Sequence, residues 1–392
     1  MSDSELNINS DKLIVGILSG TSVDSVDIVL VNIRGTGKNT SIRVIDYVQY
    51  EIDEEVRKLI FKASDVNTGN VELICKLNFI IGEYFASKIN DFLRKNHLSS
   101  EDIYCIGSHG QTIYHFPSDE HFLNFPMKSS LQIGDISVIS NLTNITTVGD
   151  FRTADISAGG SGAPLVPFLD YILFPSDDKT RLIINIGGIA NFTFLDVYCQ
   201  LSEIVAFDVG PGNMLIDSMM RKLYEQEFDK NGEIASSGEQ QHSIMQKLIF
   251  NDAFIHKPPP KSTGREDYGE SFLKITDEFI GKYPNEDIIS TITEYTAYCI
   301  YYGYEKFIDK VVDEIIVSGG GAKNNFIMQR LKMLFPKSEV KPLNKNGITV
   351  DNKEAVLFAV LANETMNHKT SNLPQVTGAD RQVIQGKVSY VR

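Results

Sequence analysis

Short apolar runs that break at small polar residues alternate with longer stretches of helical periodicity along the chain. The run Leu13–Leu18 turns through Ser19–Ser22 and resumes at Val26–Val31, which predicts a β-hairpin. Apolar residues at helical spacing between Asn70 and Lys95 predict an amphipathic helix. A strand is predicted over Ile103–Ile106. The first part of the chain should therefore combine strands with helices on their faces.

The same pattern starts again after residue 180. A buried strand over Leu182–Ile186 turns at Gly187–Gly188 and returns through Asn191–Leu195. The later predicted elements are a strand at Ile204–Phe207, a helix over Ile288–Val312, a strand at Glu314–Val317, a helix from Asn324 and a helix over Lys353–Glu364. No residue-level repeat accompanies this duplication. Two related α/β domains that close on a ligand are expected, with residues 1–150 plus the returning tail 372–392 as domain I and residues 151–371 as domain II.

Two stretches resemble irregular insertions. Residues 117–128 are rich in Phe, His and Pro, and residues 251–269 contain the run Pro258–Pro260, which ends any helix. Long irregular loops in compact enzymes are often functional.

Length and charge narrow the classes of function. The 392 residues fit two domains, and 51 acidic against 37 basic residues give a net charge of -14, which argues against a nucleic-acid partner. A single nucleotide remains compatible, because backbone amides and a metal ion suffice to hold it. No apolar run is long enough to span a membrane and Met1–Lys12 is polar, so a cytoplasmic location without a membrane partner is expected.

The four cysteines, Cys75, Cys105, Cys199 and Cys299, lack metal-ligand spacing. Their apolar surroundings predict buried thiols in a reducing compartment.

The first hairpin turn, Gly20 to Asp27, could bind an anion. Its backbone amides and hydroxyls can face a phosphate, and the carboxylates of Asp24 and Asp27 could hold a magnesium ion through water. The alternative is an ordinary hairpin turn.

Two further glycine turns could complete such a site. The turn at Gly187–Gly188 could grip a phosphate tail from the other side, and Gly319–Gly321 lies between a strand and a helix, where backbone can approach an adenosine closely. Neither is a specific nucleotide fingerprint, and simple connecting turns remain the alternative.

Asp208 ends an apolar strand and precedes two glycines, which is a common position for a catalytic carboxylate. Partial burial would raise its pKa and suit it as a general base. The alternative is a cap on the helix that starts near Asn213.

A polar set that could orient a sugar or a carboxylate comprises His109, Gln111, Arg152 and Asp155. For these residues the alternatives are a structural histidine and an ion pair on Arg152.

The order of these motifs resembles the anhydro-N-acetylmuramic acid kinase family, within the actin, heat-shock-chaperone and sugar-kinase superfamily. The resembling segments are Ser19–Asp24, His109–Thr112, Asp150–Arg152, Ala158–Pro167, Asn185–Asn191, Phe207–Asn213, Ser262–Glu266 and Gly319–Asn324. The resemblance implies an α/β, two-domain actin-like ATPase (ribonuclease H-like) fold with a central nucleotide cleft. It also implies an ATP- and Mg2+-dependent kinase that hydrolyses the bridge of 1,6-anhydro-N-acetylmuramic acid and phosphorylates its 6-oxygen, in cell-wall recycling and as a homodimer.

The resemblance also assigns residues. Asp208 is the expected catalytic base, Asp24 the expected metal ligand, and Glu354 joins His109, Gln111 and Arg152 as a substrate-binding residue. The expected ATP-binding residues are Gly20, Thr21, Ser22, Val23, Asp24, Ser25, Val26, Asp27, Gly188, Gly319, Gly320 and Asn324.

Two alternatives stay open. The chain departs from the family pattern at Ser25, Val209 and Tyr114, where the family usually has Gly, Thr and Trp. A kinase of another 1,6-anhydro sugar such as levoglucosan is therefore one alternative. A nucleotide-dependent sensor without sugar chemistry is the other.

Overall fold

The computed structural model describes residues 10–20, 22–175 and 177–391. The chain divides into two compact units. The first comprises residues 1–173, 345–348 and 352–392, and the second comprises residues 174–344 and 349–351.

The described strands are β1 (Lys12–Ser19), β2 (Ser25–Arg34), β3 (Ser41–Glu51), β4 (Cys105–Phe122), β5 (Phe125–Ile133), β6 (Thr147–Gly149), β7 (Arg181–Ile186), β8 (Ile189–Leu195), β9 (Val205–Pro211), β10 (Glu314–Ser318), β11 (Glu339–Pro342), β12 (Asn344–Lys345), β13 (Ile348–Thr349) and β14 (Lys387–Ser389).

The described α-helices are α1 (Glu54–Ser64), α2 (Val71–Lys95), α3 (Ile136–Thr143), α4 (Thr153–Ser157), α5 (Val166–Leu173), α6 (Asn213–Tyr224), α7 (Glu233–Ser237), α8 (His242–Asn251), α9 (Arg265–Tyr268), α10 (Glu270–Asp277), α11 (Asn285–Phe307), α12 (Asn325–Leu334), α13 (Lys353–Met366) and α14 (Pro374–Thr377). Short 3-10 helices cover Gly37–Asn39, Ser100–Asp102, Leu201–Glu203, Lys230–Gly232 and Gly320–Lys323.

The two units repeat one sheet topology. In the first unit the strand order is β14-β6-β4-β1-β2-β3, with β5 paired to β4, and in the second it is β11-β10-β7-β8-β9. In each unit the first three strands form antiparallel pairs. Two later strands lie parallel to the first strand, β4 and β6 in the first unit and β10 and β11 in the second. This is the ribonuclease H-like arrangement, and its repetition confirms the predicted actin-like fold class.

Helix α2 covers one face of the first sheet. The Asn70 side chain caps it by accepting a hydrogen bond from the Leu73 N–H at 2.9 Å. Its residues Leu77, Ile81 and Phe85 recur every four positions and are buried. They join Val15 and Ile17 of β1 in one hydrophobic core, as the helical periodicity of the sequence predicted.

Helix α13 covers the other face of the same sheet, where glycines replace the usual side chains. Because successive strand residues face opposite sides, Gly16 of β1 points away from Val15 and Ile17 and towards α13. A β-carbon on Gly16 would overlap the carbonyl oxygen of Ala355, and one on Gly107 of β4 would overlap that of Phe358. The helix backbone therefore rests directly on the strands.

The compact units divide the chain differently from the predicted domains. Residues 151–173 belong to the first unit, although a border at 150 was expected. The helix α13 was assigned to domain II, but its packing on β1 and β4 puts it in the first unit. The tail contributes β14, which pairs antiparallel with β6.

Two local expectations were wrong. The stretch 117–128 is not an irregular loop, because β4 and β5 extend through it as a hairpin. Cys75 is exposed on α2 and Cys199 is partly exposed, whereas Cys105 and Cys299 are buried as predicted. Within the described ranges, no helix is long and apolar enough to cross a membrane.

Gly107→Ala should destabilise the protein. The added methyl group meets helix backbone, which cannot rotate away, so we expect a loss of about 1–3 kcal/mol in the free energy of unfolding. Urea unfolding monitored by circular dichroism measures it. Gly378→Ala measures the cost of backbone strain without overlap, since Gly378 has a φ of +79° and open space around its Cβ, whereas Gly107 lies outside the left-handed region. A loss in Gly107→Ala smaller than that in Gly378→Ala would contradict the packing argument.

Glu364 of α13 makes stability depend on pH. Its carboxylate is fully buried and accepts the Gly37 N–H at 3.1 and 3.2 Å. Burial raises its pKa from 4.5 to about 7, against the opposing effect of the Gly37 hydrogen bond and of Lys12. The folded state therefore holds the proton more tightly than the unfolded state. This contribution to stability is complete below pH 4.5 and is lost as the pH rises through about 7.

Glu364→Gln should remove this dependence, because the amide keeps an acceptor for Gly37 and carries no charge. Relative to the variant, the wild type should lose up to about 3 kcal/mol of stability between pH 5 and pH 8. Unfolding curves at four pH values test this, with Glu83→Gln on the exposed face of α2 as the control. Parallel curves for wild type and Glu364→Gln would refute it.

Candidate functional site

The turn between β1 and β2 is tightly bound to its own unit. Val23 has a φ of +53°, which is unusual for a β-branched residue, and its N–H donates to the Gly20 carbonyl oxygen at 3.2 Å. The side chains of Val23 and Val26 are buried in the core. These two predicted ATP-binding residues can therefore offer a ligand their backbone only. Thr21, another of them, lies outside the described residues.

The acidic residues of this turn differ in their surroundings. Asp24 is exposed, and its Oδ1 accepts hydrogen bonds from Ser22 Oγ at 2.8 Å and Ser25 Oγ at 3.5 Å. Asp27 is half-buried and accepts from the Tyr47 hydroxyl at 2.6 Å and from Gln49 Nε2 at 3.1 Å. Asp24 is thus the more accessible carboxylate for a hydrated cation.

Polar groups without partners collect at the carboxyl end of β1 and on the part of β4 that pairs with it. Gln111 is buried and its Nε2 donates to the Gly20 carbonyl oxygen at 3.3 Å, so two predicted site residues are in contact. Within the described part of the chain, Ser19 Oγ, Ser108 Oγ and Gln111 Oε1 are buried and make no hydrogen bond. Unpaired buried groups are costly, and at the end of parallel strands they are suited to a polar ligand.

His109 and Arg152 form a direct pair. The guanidinium donates to His109 Nε2 from Nη2 at 3.0 Å and to the Gly162 carbonyl oxygen from Nη1 at 2.8 Å. Burial, and then the positive charge of Arg152, lower the pKa of His109 well below its usual value. The imidazole is therefore neutral and accepts at Nε2. Burial also lowers the pKa of Arg152 to about 10, which leaves it charged at neutral pH.

Glu354 completes this cluster. It lies in the first turn of α13 and keeps an exposed surface, but the protein around its carboxyl removes enough water to raise its pKa. The charge of Asp27 adds to that rise, whereas those of Lys353 and Arg152 oppose it. The first unit thus brings Asp27, Arg152 and Glu354 within electrostatic reach of each other.

The second unit gathers two of the predicted glycine turns. The parallel strands β7 and β10 pair Asn185 with Ser318, so the turns that follow them are neighbours. A Cβ on Gly319 would lie 2.6 Å from the Ile186 carbonyl oxygen, and one on Gly320 would lie 3.3 Å from Asn213 Nδ2.

The carbonyl oxygen of Gly188 accepts the N–H groups of Gly212 and Met214 at 2.9 and 3.1 Å. The second hairpin turn is therefore fastened to the start of α6.

Asn324 has a structural role that the sequence did not assign. Its side-chain oxygen accepts the Ile327 N–H at 3.1 Å and so caps α12. A nucleotide contact by this residue stays a prediction, as do those of Gly188, Gly319 and Gly320.

Asp208 lies on β9 beside a β-bulge. Asn191 of β8 pairs with Asp208 and Ala190 pairs with Gly210, so Val209 is an extra residue. Bulges re-aim neighbouring side chains and are common next to active sites. The half-buried Asp208 carboxylate accepts the Thr263 N–H at Oδ2, at 2.9 Å. The side chain is thus held by the segment that follows the proline run.

The carboxylates fit a magnesium ion that is shared with a phosphate. Among the described residues, no group of three His, Cys, Asp or Glu side chains could hold a metal by itself. Mg2+ commonly binds one or two carboxylates, water and substrate phosphates, so Asp24 near the hairpin turn suits it.

Comparison with known proteins settles the family. A model described as anhydro-N-acetylmuramic acid kinase matches residues 12–391. The anhydro-N-acetylmuramic acid kinase of Caldanaerobacter subterraneus subsp. tengcongensis is 42% identical over 388 residues, which are 97% of each chain. The chain belongs to the anhydro-N-acetylmuramic acid kinase family. The enzyme of that name from Francisella tularensis subsp. novicida is also 42% identical, over 97% of this chain and 99% of its own.

One solved structure that aligns with this chain is the activator of the 2-hydroxyisocaproyl-CoA dehydratase from Clostridium difficile with bound ADPNP. It aligns with a TM-score of 0.44 and 14% identity, over 92% of this chain and 99% of that one.

In this anhydro-N-acetylmuramic acid kinase family member, sequence reasoning missed several supporting residues. Thr263 belongs to the segment Ser262–Glu266, which carried the resemblance, but it acts on Asp208 through its backbone and has no side-chain signal. Tyr47 and Gln49 hold Asp27 from the neighbouring strand, where only the antiparallel register of β2 and β3 could have indicated them.

Gly319→Ala should weaken ATP binding. The residue has a φ of +77°, and a methyl group 2.6 Å from the Ile186 oxygen would displace the turn. A loss of about 1.4 kcal/mol in binding raises the KM for ATP about tenfold. Gly281→Ala is a matched control, since Gly281 has a φ of +78° and nothing within 4 Å of its Cβ. The same KM in both variants would exclude the turn from the nucleotide site.

Proposed function

We propose that the protein is an ATP-dependent kinase that converts 1,6-anhydro-N-acetylmuramic acid and water into N-acetylmuramic acid 6-phosphate. Membership of the family supports this proposal. The observation that carries the chemistry is the Asp208 carboxylate, which is half-buried at a strand bulge and oriented by a backbone N–H.

The substrate explains why a base is needed. Its 6-oxygen is part of an ether bridge and has no proton to lose, so it cannot attack phosphorus as a hydroxyl group. Asp208 takes a proton from water, the water oxygen bonds to the anomeric carbon, and the bond between that carbon and the 6-oxygen breaks. The freed 6-oxygen takes the γ-phosphoryl group, and ADP leaves.

The cluster in the first unit supports recognition of the sugar. The lactyl group of the substrate carries a carboxylate, and Arg152 is a guanidinium whose Nη1 and Nη2 are already oriented by Gly162 and His109. A preoriented guanidinium suits a carboxylate ligand. Glu354 and Gln111 add groups that can accept from or donate to sugar hydroxyls.

The glycine turns support binding of ATP. Each unit has glycine turns of this kind, after β1 in the first unit and after β7 and β10 in the second. Backbone N–H groups in such turns bind phosphate oxygens in other nucleotide sites. Bound with the nucleotide at Asp24, Mg2+ would neutralise charge on the phosphates. The second carboxylate of the first turn, Asp27, is already hydrogen-bonded by Tyr47 and Gln49.

The proposal extends to the pathway, the location and the oligomeric state of the protein. It acts in cell-wall recycling, it is located in the cytoplasm, and it forms a homodimer. The free thiols of Cys75, Cys105, Cys199 and Cys299 agree with a reducing compartment. Light scattering of the purified protein measures the oligomeric state, and a monomer at assay concentration would refute that part.

Asp208→Asn should nearly abolish turnover. The amide keeps an acceptor for Thr263 but cannot take a proton, so kcat should fall roughly 100- to 10,000-fold with a small change in KM. Formation of ADP with 1,6-anhydro-N-acetylmuramic acid measures it. The exposed Asp309→Asn in the same unit is the control and should match the wild type.

The position of an isotope label tests the proposed route of the water oxygen. In water labelled with oxygen-18, the label should enter the anomeric hydroxyl of the product and not its phosphate. Turnover with levoglucosan alone would keep the mechanism and overturn the proposed sugar, and no turnover with either sugar would refute the kinase proposal.

A further inference from the structure

Lys261 lies in an unusual environment beside the candidate base. It directly follows the run Pro258–Pro260 and is half-buried. Its ammonium nitrogen lies 4.6 Å from the ring centre of Phe254, 5.0 Å from that of Phe307 and 5.7 Å from that of Phe207. Cation–π contacts of a partly desolvated lysine are stronger than those at the surface.

The same ammonium closes the segment that contains the prolines. Lys261 Nζ donates to the carbonyl oxygens of Phe254 and Ile255 at 3.3 and 3.1 Å. These contacts tie residue 261 back to the turn that follows α8, across the proline run.

That turn is itself anchored in the core of the unit. The buried Asp252 carboxylate accepts the N–H groups of Phe254 and Ile255 at 2.9 and 3.2 Å. It also accepts the hydroxyls of Tyr268 and Tyr295 at 2.7 and 2.6 Å. The point to which Lys261 is fastened is therefore rigid.

From Lys261 the chain runs directly to the base. The Lys261 carbonyl oxygen accepts the Asp208 N–H at 3.2 Å, and the Thr263 N–H donates to Asp208 Oδ2 at 2.9 Å. Both the backbone and the carboxylate of Asp208 are thus held by residues 261–263.

We propose that Lys261 is a positioning residue for Asp208, because it fixes the 261–263 segment that holds the backbone and the carboxylate of Asp208. The inference rests on the proposed role of Asp208 as the base. Lys261 does not touch the substrate in this proposal, but its loss would displace Asp208. Because a small displacement of a reacting group has a large effect on rate, the loss should lower kcat.

The charge on Lys261 also predicts a pH effect. Burial lowers its pKa to about 8, while Cys299, Asp252 and Asp208 oppose that shift and Lys257 adds to it. Above about pH 8 the ammonium loses its proton and its attraction for both the carbonyl oxygens and Asp208. The wild-type kcat should therefore decline on the alkaline side.

The test compares pH profiles of kcat for Lys261→Met, Lys261→Arg and Lys257→Met. Lys257 is an exposed lysine on the same segment, with its Nζ 5.6 Å from the Phe254 ring centre, so it controls for loss of charge and for general effects on the loop. Lys261→Met should lower kcat about 10- to 100-fold with an unchanged KM for ATP. Lys261→Arg should restore most of kcat and move the alkaline decline upward, since arginine stays charged.

A kcat of Lys261→Met within twofold of that of Lys257→Met would overturn the inference. If Lys261→Met does not fold, the Lys261→Arg profile decides, because an alkaline decline unmoved from the wild type excludes the charge of Lys261 as its origin.

If the wild type turns over neither sugar, the proposed function fails. The electrostatic interaction between Lys261 and Asp208 can then still be measured by carbon-13 NMR of labelled lysines. The Lys261 resonance should then titrate at a lower pH in Asp208→Asn than in the wild type, since the variant removes a negative charge that raises the lysine pKa. Equal midpoints would reject the coupling itself.

Discussion

The first unit depends on the direct contact between the backbone of α13 and the strands beneath it. Gly16 and Gly107 lack side chains where the carbonyl groups of Ala355 and Phe358 approach, so the helix lies closer to the sheet than side chains would allow. This approach places the backbone of α13 directly against β1 and β4. The charges of Asp27 and Arg152 act on Glu354 in the first turn of the helix. Phe358 of the same helix packs against His109, with ring centres 4.6 Å apart. The packing of the core and the geometry of the candidate site are thus set by the same glycines.

In the second unit the main constraint is to hold the Asp208 carboxylate in one orientation beside the bulge of β9. The bulge residue Val209 lies next to Asp208, and the segment 261–263 makes hydrogen bonds with its backbone and its carboxylate. The support reaches back through Lys261 to the buried Asp252, so the candidate base is held by a continuous series of hydrogen bonds. Preorganisation of this kind is what allows a carboxylate to act without first reorganising its surroundings.

Much of this was predictable, for identifiable physical reasons. Apolar runs that end at glycines predict the strand-turn-strand units, and apolar residues spaced four positions apart predict α2. The duplicated fold could therefore be derived from the sequence. The division of the chain could not, because the packing of α13 onto β1 depends on glycines whose contacts are distant in sequence. The hairpin of β4 and β5 was mistaken for a loop, since its strands contain proline and charged residues that have low strand propensity. Asn324 was expected to bind the nucleotide, but the sequence did not indicate that its side chain caps α12.

The bulge at Val209 has an evolutionary consequence. Side chains along a strand alternate between its two faces, so the face on which Asp208 appears depends on the number of residues between it and the last regular pair of β8 and β9. Loss of the Val209 codon would remove one apolar residue and no charge, and it would place Asp208 and Gly210 next to each other opposite Asn191 and Ala190 in an ordinary ladder. The partner of Asp208 on β8 would stay the same, but the face on which its carboxylate lies relative to the residues that follow would change. Lineages that retain the chemistry should therefore tolerate changes in the identity of residue 209 far better than changes in the number of residues in this strand.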